Sequence, residues 1–474
     1  MKDGIPGGQM STVKGTVAQQ LSEYLVRLDY RSLPANVTAK VKEAVLDQLG
    51  CQFVGSTMSH CGIIYEFIKG FAGQPEATVV NRHLKTWAHD AASVNAVFGH
   101  GCEVDDHIDT GGGHPGAYST AVSLALAEKE RANGPAVIAA IAAGYEVAWR
   151  LGRTLSPAST ANGWHSQSTI GAFASTAVAA KLLNLNARQL AQAFAIAGSQ
   201  ASGTKEYGRS GGEVKRMHSG LAARAGIQSA MLAKAGLTGP LTIFEGKFGI
   251  LRLLAGQDDP TPVIEGFGED FGIMHVEFKT RPVNISIQSP VNLLSELMQS
   301  HDIKATDVER IDVGCRREHV LHDVGAIYEP QDTVGAQFSI QFSLAMGVVK
   351  RSNDLKLYTD PSVWRDPEIL GLAHRVYLHF DPRLAGNKRP GEGHGYGSHV
   401  KVTLTDGRVL EKEEEYQKGN PKKPLTPAEL TDKYRRLASS VFSQERIEKV
   451  ISTVGRLDEI EDIGELTSLL IPER

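Results

Sequence analysis

Four cysteines in 474 residues, Cys51, Cys61, Cys102 and Cys315, are too few for a disulfide framework. None sits in the Cys-x-x-Cys spacing that suits zinc or thiol exchange. A reducing, cytoplasmic setting is the reading that follows. An excess of positive charge is missing too: 50 Lys and Arg stand against 54 Asp and Glu, a formal net charge of −4. That excludes the basic footprint on which sequence-independent nucleic-acid binding depends. No run approaches the ~20 apolar residues needed to span a bilayer, because the best stretch, Ala136 to Trp149, carries Gly144 and Glu146 inside it. The first eight residues, Met-Lys-Asp-Gly-Ile-Pro-Gly-Gly, lack the apolar core of a signal peptide. Nucleic acid and membrane are therefore not expected as partners. Also missing are a Walker A loop, a Gly-x-Gly-x-x-Gly after a strand and a Gly-x-Ser-x-Gly elbow, which leaves nucleotide binding and nucleophilic hydrolysis with little support.

What is present is enough apolar surface for a real core, 41% of residues with a mean hydropathy of −0.19, in a chain long enough for two or three domains. From Val17 to about Ile250 the pattern is helical. Val17, Leu21, Leu25 and Leu28 form one stripe, and Val37, Val41, Val45 and Leu49 another. Ile170 to Ala197 is rich in Ala, Gly and Ser, breaks at Asn184-Leu-Asn186, and restarts with Asn186 as N-cap and Gln189 three residues on. Small side chains on consecutive helices let backbones approach closely. After about Gly272 the texture changes. Ile311-Asp-Val-Gly alternates, and His399 to Leu404, Asp406-Gly407 and Arg408 to Leu410 read as strand, hairpin turn and strand. Ser289 to Met298 and Ala336 to Val349 keep helical spacing, and Lys418 to Pro424 reads as a polar linker. Thr426-Pro-Ala-Glu then opens a closing helical stretch with a capping box. The expected fold is mainly α: a large all-helical domain formed by both ends of the chain, residues 1–272 and 425–474, and a smaller inserted α+β domain, 273–424.

Four segments carry chemistry. Residues 100–117 crowd Glu103, Asp105, Asp106, His107, Asp109 and His114 between helical stretches, with three glycines before His114-Pro115. A solvated acidic loop and a metal site are the competing readings, the latter without His-x-x-x-His or EF-hand spacing in support. His165 stands just ahead of the small-residue helix, where a ring nitrogen could face a cavity. The segment from Lys205 through Tyr207, Arg209, Lys215 and His218 is glycine-rich, cationic and then abruptly helical, which suits an anion held at a helix N-terminus. Lys279 and Arg281 lie where the helical domain hands over to the inserted one, a place that ligand pockets favour.

In order and content these segments resemble the MmgE/PrpD family, the 2-methylcitrate dehydratases, which includes cis-aconitate decarboxylase and an iminodisuccinate epimerase. The resemblance rests on Val104-Asp-Asp with His114-Pro-Gly, Ala143-Gly-Tyr-Glu-Val-Ala-Trp-Arg150, the His165 segment, Lys215-Arg-Met-His218-Ser-Gly-Leu-Ala-Ala, Leu237 to Gly246, Lys279, and Ala336-Gln-Phe-Ser-Ile-Gln-Phe. It runs from about residue 17 to 440. It implies a helical domain carrying an α+β lid, a homodimer, and no metal or organic cofactor. It also implies that His114, His165, Lys215 and Lys279 line the active site. The Asp and Thr that stand beside them in the decarboxylase are matched here by Glu103 and His107, in a loop one residue longer.

A proton α to a carboxylate is lost only when fixed cations or hydrogen-bond donors meet the developing carbanion, and Lys215, Lys279, Arg209 and Arg281 are the candidates for that task. A histidine near neutral pKa can take the proton, and a second His or Lys can protonate a leaving hydroxyl or return the proton to the other face. The expected protein is a cofactor-independent enzyme acting on a small di- or tricarboxylate, with dehydration favoured and epimerisation or decarboxylation as alternatives. His114, His165, Lys215 and Lys279 are the expected catalytic residues. Glu103, Asp106, His107, Tyr207, Arg209, His218 and Arg281 are the expected substrate contacts. The rival from another class, a silent binding protein on the same scaffold, sits poorly with so many titratable groups gathered together.

Overall fold

Thr16 opens the first helix, Val17–Arg27, with a capping box in which its hydroxyl accepts from the Gln19 N–H and the Gln19 side chain accepts from the Thr16 N–H. The computed structural model describes residues 15–385 and 395–473. Val17, Leu21 and Leu25 are buried, as are Val37, Val41, Val45 and Leu49 of the Ala35–Gly55 helix, so both stripes face the core.

The centre of the molecule is a stack of longer helices: Ala88–Gly99, Pro115–Glu130, Gly134–Leu155, Ser166–Leu182 and Val214–Lys234. Ser166–Leu182 is buried almost all round, which is why its sequence shows small residues and no polar face. Its contact with Val214–Lys234 is made backbone to backbone. A Cβ added to Gly226 would sit 2.3 Å from the Ser175 Cβ, so only glycine permits this approach. Asn186 and Gln189 form the expected capping box on the next helix, Ala187–Gly198.

One apolar cluster runs from Val17 to Phe278 and resumes at Leu430, while a second holds residues between Val283 and Leu404. The second is built on a four-stranded sheet. Val308–Cys315 pairs parallel with Val376–Phe380 and antiparallel with Ser398–Leu404, which pairs antiparallel with Val409–Glu414. Ser398–Leu404 alternates buried and half-buried residues, and the Gln288–His301 and Ile340–Lys350 helices pack with the sheet. The chain thus crosses between clusters around 279–282 and again before 425.

Two sequence expectations change in detail. The helical spacing from Ala336 to Val349 covers two helices, Thr333–Gln337 and Ile340–Lys350. They break where the Ser339 hydroxyl accepts from the Phe342 N–H and caps the second. The polar stretch after Tyr416 is partly interior, because Gln417 and Asn420 are buried against Glu277. The helical part also carries two short ladders, Ala77–Thr78 with Lys85–Thr86 and His107–Ile108 with Val276–Glu277. All four cysteines are free and buried. Among the described residues no helix is long and apolar enough to cross a membrane.

Candidate functional site

Three helices bring their N-termini to one place. His114 is the N-cap residue of Pro115–Glu130, His165 that of Ser166–Leu182, and Lys215 and His218 lie on the first turns of Val214–Lys234. Free N–H groups and aligned peptide dipoles make such ends favourable to negative charge. His100 joins them: its ring lies 4.7 Å from that of His114 and 6.3 Å from that of His165, and its Nε2 is 3.3 Å from Lys215 Nζ.

Hydrogen bonds decide where the imidazole protons sit. His114 Nδ1 is 2.6 Å from the carbonyl oxygen of Asp106, which can only accept, so Nδ1 carries the proton and Nε2 keeps its lone pair. Burial pulls the His114 pKa down to about 3, so the ring is neutral at ordinary pH. His100 Nδ1 likewise donates to Asp105 Oδ2 over 2.7 Å, leaving its Nε2 to accept from Lys215. His165 and His218 meet Nδ1 to Nδ1 at 2.7 Å, which requires one to donate and the other to accept. Burial lowers both, His218 to about 4, so the pair is neutral with opposite tautomers.

The charges are unbalanced. Glu103 is 1% exposed, with one carboxylate oxygen against Lys215 and Arg216 and the other 3.1 Å from Lys279 Nζ. Its backbone is left-handed, φ 57°, a conformation that costs a non-glycine residue about 1–2 kcal/mol. The ion pairs hold it there. Arg216 also donates to the His100 carbonyl and to Gln337 Oε1, and Gln337 donates to the Cys102 carbonyl, so the motif around Gln337 buttresses the loop. Burial lowers the Lys279 pKa to about 8, and pulls Lys215 down as well, with Arg216 and Lys279 adding to the effect on Lys215. Three cations face two carboxylates, Glu103 and Asp105, which leaves room for one more negative group.

The loop is therefore no solvated acidic face, since Asp105 and Asp106 are buried like Glu103. His165, Lys215, His218, Lys279 and Glu103 converge with His114, and the Tyr207 ring stands 5.0 Å from that of His165. His107 joins the edge of the group, its ring 5.4 Å from that of His114. Two expected contacts are directed elsewhere. Asp106 accepts from the Gly116 N–H and from the Tyr145 hydroxyl at 2.7 Å, so it clamps the start of a helix; burial raises its pKa to about 8. Arg281 turns away because the Gln288 side chain captures the N–H groups of Thr280 and Arg281, and its guanidinium reaches Asn292 in a separate cavity of about 550 Å³. The side chain of Arg209 lies outside the described residues.

Sequence reasoning missed His100, Arg216, Gln337 and Glu277. Of these, His100, Arg216 and Gln337 lay inside motifs already singled out, and Glu277 has no local signal. His100, Asp105 and His114 bring ligand-type atoms within 4.8 Å of one another. A metal there would have to displace the proton between His100 and Asp105 and sit beside Lys215, so the donor set suits hydrogen bonding better than cation binding.

Comparison with known proteins agrees with this arrangement. A cis-aconitate decarboxylase-like protein of Aspergillus oryzae is 26% identical, aligned over 98% of this chain and 99% of its own. The cis-aconitate decarboxylases of Homo sapiens and Aspergillus terreus are 27% and 25% identical, over 92% and 97% of this chain and 91% and 97% of theirs. The MmgE/PrpD N-terminal domain matches residues 19–263 and the MmgE/PrpD C-terminal domain residues 282–458, so the chain belongs to the MmgE/PrpD family.

Proposed function

We propose that this protein is a cofactor-independent lyase that removes a proton α to a carboxylate of a small di- or tricarboxylate. The observation that carries the reading is the neutral His114, its Nε2 lone pair free, beside a buried group of cations in excess over carboxylates. His114 takes the proton. Lys215, Lys279 and the helix N-termini hold the substrate carboxylate and the negative charge that develops on it. The His165–His218 pair supplies one ring N–H and one lone pair for orienting the substrate. Electrostatic stabilisation of this kind and general-base catalysis together require no redox or carbanion-stabilising cofactor.

Dehydration of a β-hydroxy polycarboxylate is the favoured reaction, because the departures at Glu103 and His107 from the decarboxylase's Asp and Thr set this site apart from the decarboxylase pattern. Decarboxylation is the second reading, supported by the name its full-length relatives carry. Incubation with 2-methylcitrate, cis-aconitate and iminodisuccinate in D₂O, followed by NMR, separates the reactions. Loss of water from 2-methylcitrate to give an alkene supports the dehydratase, a product of cis-aconitate that has lost CO₂ and carries deuterium at carbon supports the decarboxylase, inversion of the third supports an epimerase, and no product or exchange from any of them counts against the reading. Activity should survive exhaustive EDTA treatment; loss restored by Mg²⁺, Mn²⁺ or Zn²⁺ would return the acidic loop to a ligand role.

A cytoplasmic homodimer is part of the same proposal. Ile63 and Phe67 of the Ser59–Lys69 helix, with Phe71 after it, are 63–71% exposed, an apolar surface that a second copy would cover. Sedimentation of the purified chain as a monomer at micromolar concentration would overturn that part.

A further inference from the structure

His107 differs from the other histidines of the site in pairing a carboxylate behind one nitrogen with a second nitrogen that no described residue takes. His100 also has a carboxylate behind it, Asp105 on its Nδ1, but its far nitrogen is taken by Lys215; His114 bonds a neutral carbonyl, and His165 and His218 bond each other. His107 Nδ1 instead lies 3.1 Å from Oε2 of Glu277, its partner across the His107–Ile108 and Val276–Glu277 ladder. That carboxylate is 1% exposed and cannot swing away. Its Oε1 accepts from Gln417 Nε2 at 3.1 Å and from Asn420 Nδ2, and the Asn420 loop is itself anchored where the Phe278 N–H donates to the Gly419 carbonyl. The opposite edge of the His107 ring has no hydrogen-bond partner among the described residues. The His114 ring lies 5.4 Å from the His107 ring and the Tyr396 ring 6.1 Å from it.

We infer that Glu277 is a positioning residue that fixes His107 with Nδ1–H toward itself and stabilises its protonated ring, making His107 the acid that complements His114. A carboxylate behind an imidazole sets the tautomer and stabilises the imidazolium without being protonated itself. The inference deepens the dehydratase reading and rests on it for the identity of the leaving group. In the step, His114 Nε2 takes the α-proton and the C–H electron pair becomes the new carbon–carbon double bond. The carbon–oxygen bond breaks as His107 Nε2–H gives its proton to the departing hydroxyl, which leaves as water. The proton on His114 passes to solvent and His107 is reprotonated from solvent, so the cycle is a net loss of water. The charged and titratable groups facing His107 are Glu277, Asp109, Arg317, His114 and Tyr396. Asp109 and Arg317 are paired with each other, which leaves Glu277 as the unneutralised charge acting on the ring.

The test uses the full chain with His107→Ala, Glu277→Gln and the double variant, each checked for folding by its melting curve. With whichever of 2-methylcitrate and cis-aconitate the parent turns over, Glu277→Gln is expected to lower kcat by ~10- to 100-fold with KM little changed. The double variant should be no slower than His107→Ala alone, because Glu277 acts through that ring. Glu277→Asp should recover part of the loss. An unaltered kcat in Glu277→Gln, or additive losses in the double variant, would overturn the inference. A readout independent of turnover is the ¹⁵N spectrum of the His107 imidazole. It should show a proton on Nδ1 in the parent and a midpoint of titration shifted to lower pH in Glu277→Gln, since the variant removes the negative charge that favours the imidazolium. An unshifted midpoint overturns the inference. A shifted midpoint in a protein that turns over neither compound upholds it and places the fault with the substrate assignment.

Discussion

Two acidic residues buried among cations in the helical part of this protein behave in opposite ways. Glu146 pairs with Arg150 one turn along the Gly134–Leu155 helix, Oε1 to Nε at 2.6 Å, and its other oxygen accepts from the Gly272 N–H. Arg150 gives its remaining donors to the carbonyls of Val263, Glu265 and Gly266, and both side chains are fully buried. One charge meets one charge and the hydrogen-bond positions are filled, so nothing is left for a ligand. Glu103 is as deeply buried, yet it meets Lys215, Arg216 and Lys279 together from a left-handed backbone position. A balanced buried pair maintains the fold, whereas an unbalanced one destabilises it unless another anion arrives. The difference separates a structural ion pair from a binding site where burial alone does not.

The largest effect that tests this contrast is at the base. His114→Ala should lower kcat by ~10²- to 10⁴-fold in a steady-state assay while the melting temperature stays near that of the parent. Loss of folding instead would place His114 with the structural groups. Next comes the balanced pair: Arg150→Met strands the Glu146 carboxylate, and urea denaturation should report a loss of about 3–5 kcal/mol. A well-folded Arg150→Met would remove the distinction drawn here.

Lys279 probes the unbalanced side through pH. Its ammonium holds the carboxylate only while protonated, and its pKa in the folded chain is about 8 against 10.5 for an ordinary lysine. The kcat/KM profile should therefore be flat below about 8 and fall toward tenfold per unit above it. Lys279→Met should raise KM and abolish that limb. For stability the sign is reversed. The folded state is penalised for carrying this charge below about 8, and stability is regained between about 8 and 10.5 as the folded lysine loses its proton first. Lys279→Met should consequently destabilise far less than Arg150→Met. The smallest effect lies outside both regions: Thr426→Ala removes the capping box of the Pro427–Ala438 helix, and thermal unfolding should register about 1 kcal/mol.

Much of the site was legible from residue types. A loop holding Glu103, Asp105, His107 and His114, and cationic glycine-rich turns ahead of helices, are patterns that packing does not require. The direction of Asp106 was not legible, because neighbouring loop acids cannot be told apart without knowing which way each side chain leaves the backbone, and here the Gly116 N–H and the Tyr145 hydroxyl donate to it. The direction of Arg281 was not legible either, because Lys279 and Arg281 would share a face only in an extended strand, and the chain turns after Phe278 where Gln288 accepts from the Thr280 and Arg281 N–H groups. The roles of Glu277 and Gln337 gave no signal, because their side-chain partners lie 140 or more positions distant for Glu277 and 121 and 235 positions distant for Gln337.

Helical period, capping boxes, the Asp406-Gly407 hairpin and the supply of acids, bases and cations are local properties, set by side chains within a few residues of one another, and the amino-acid order alone determined them. Charge balance is not local. Whether a buried carboxylate meets one cation or three, which imidazole nitrogen keeps its proton, and which histidine has a carboxylate behind it depend on groups brought together by helix packing. Coulomb energies at a few ångströms in a poorly polarisable interior are large enough to separate a structural pair from a reactive one, and only the tertiary structure could decide them.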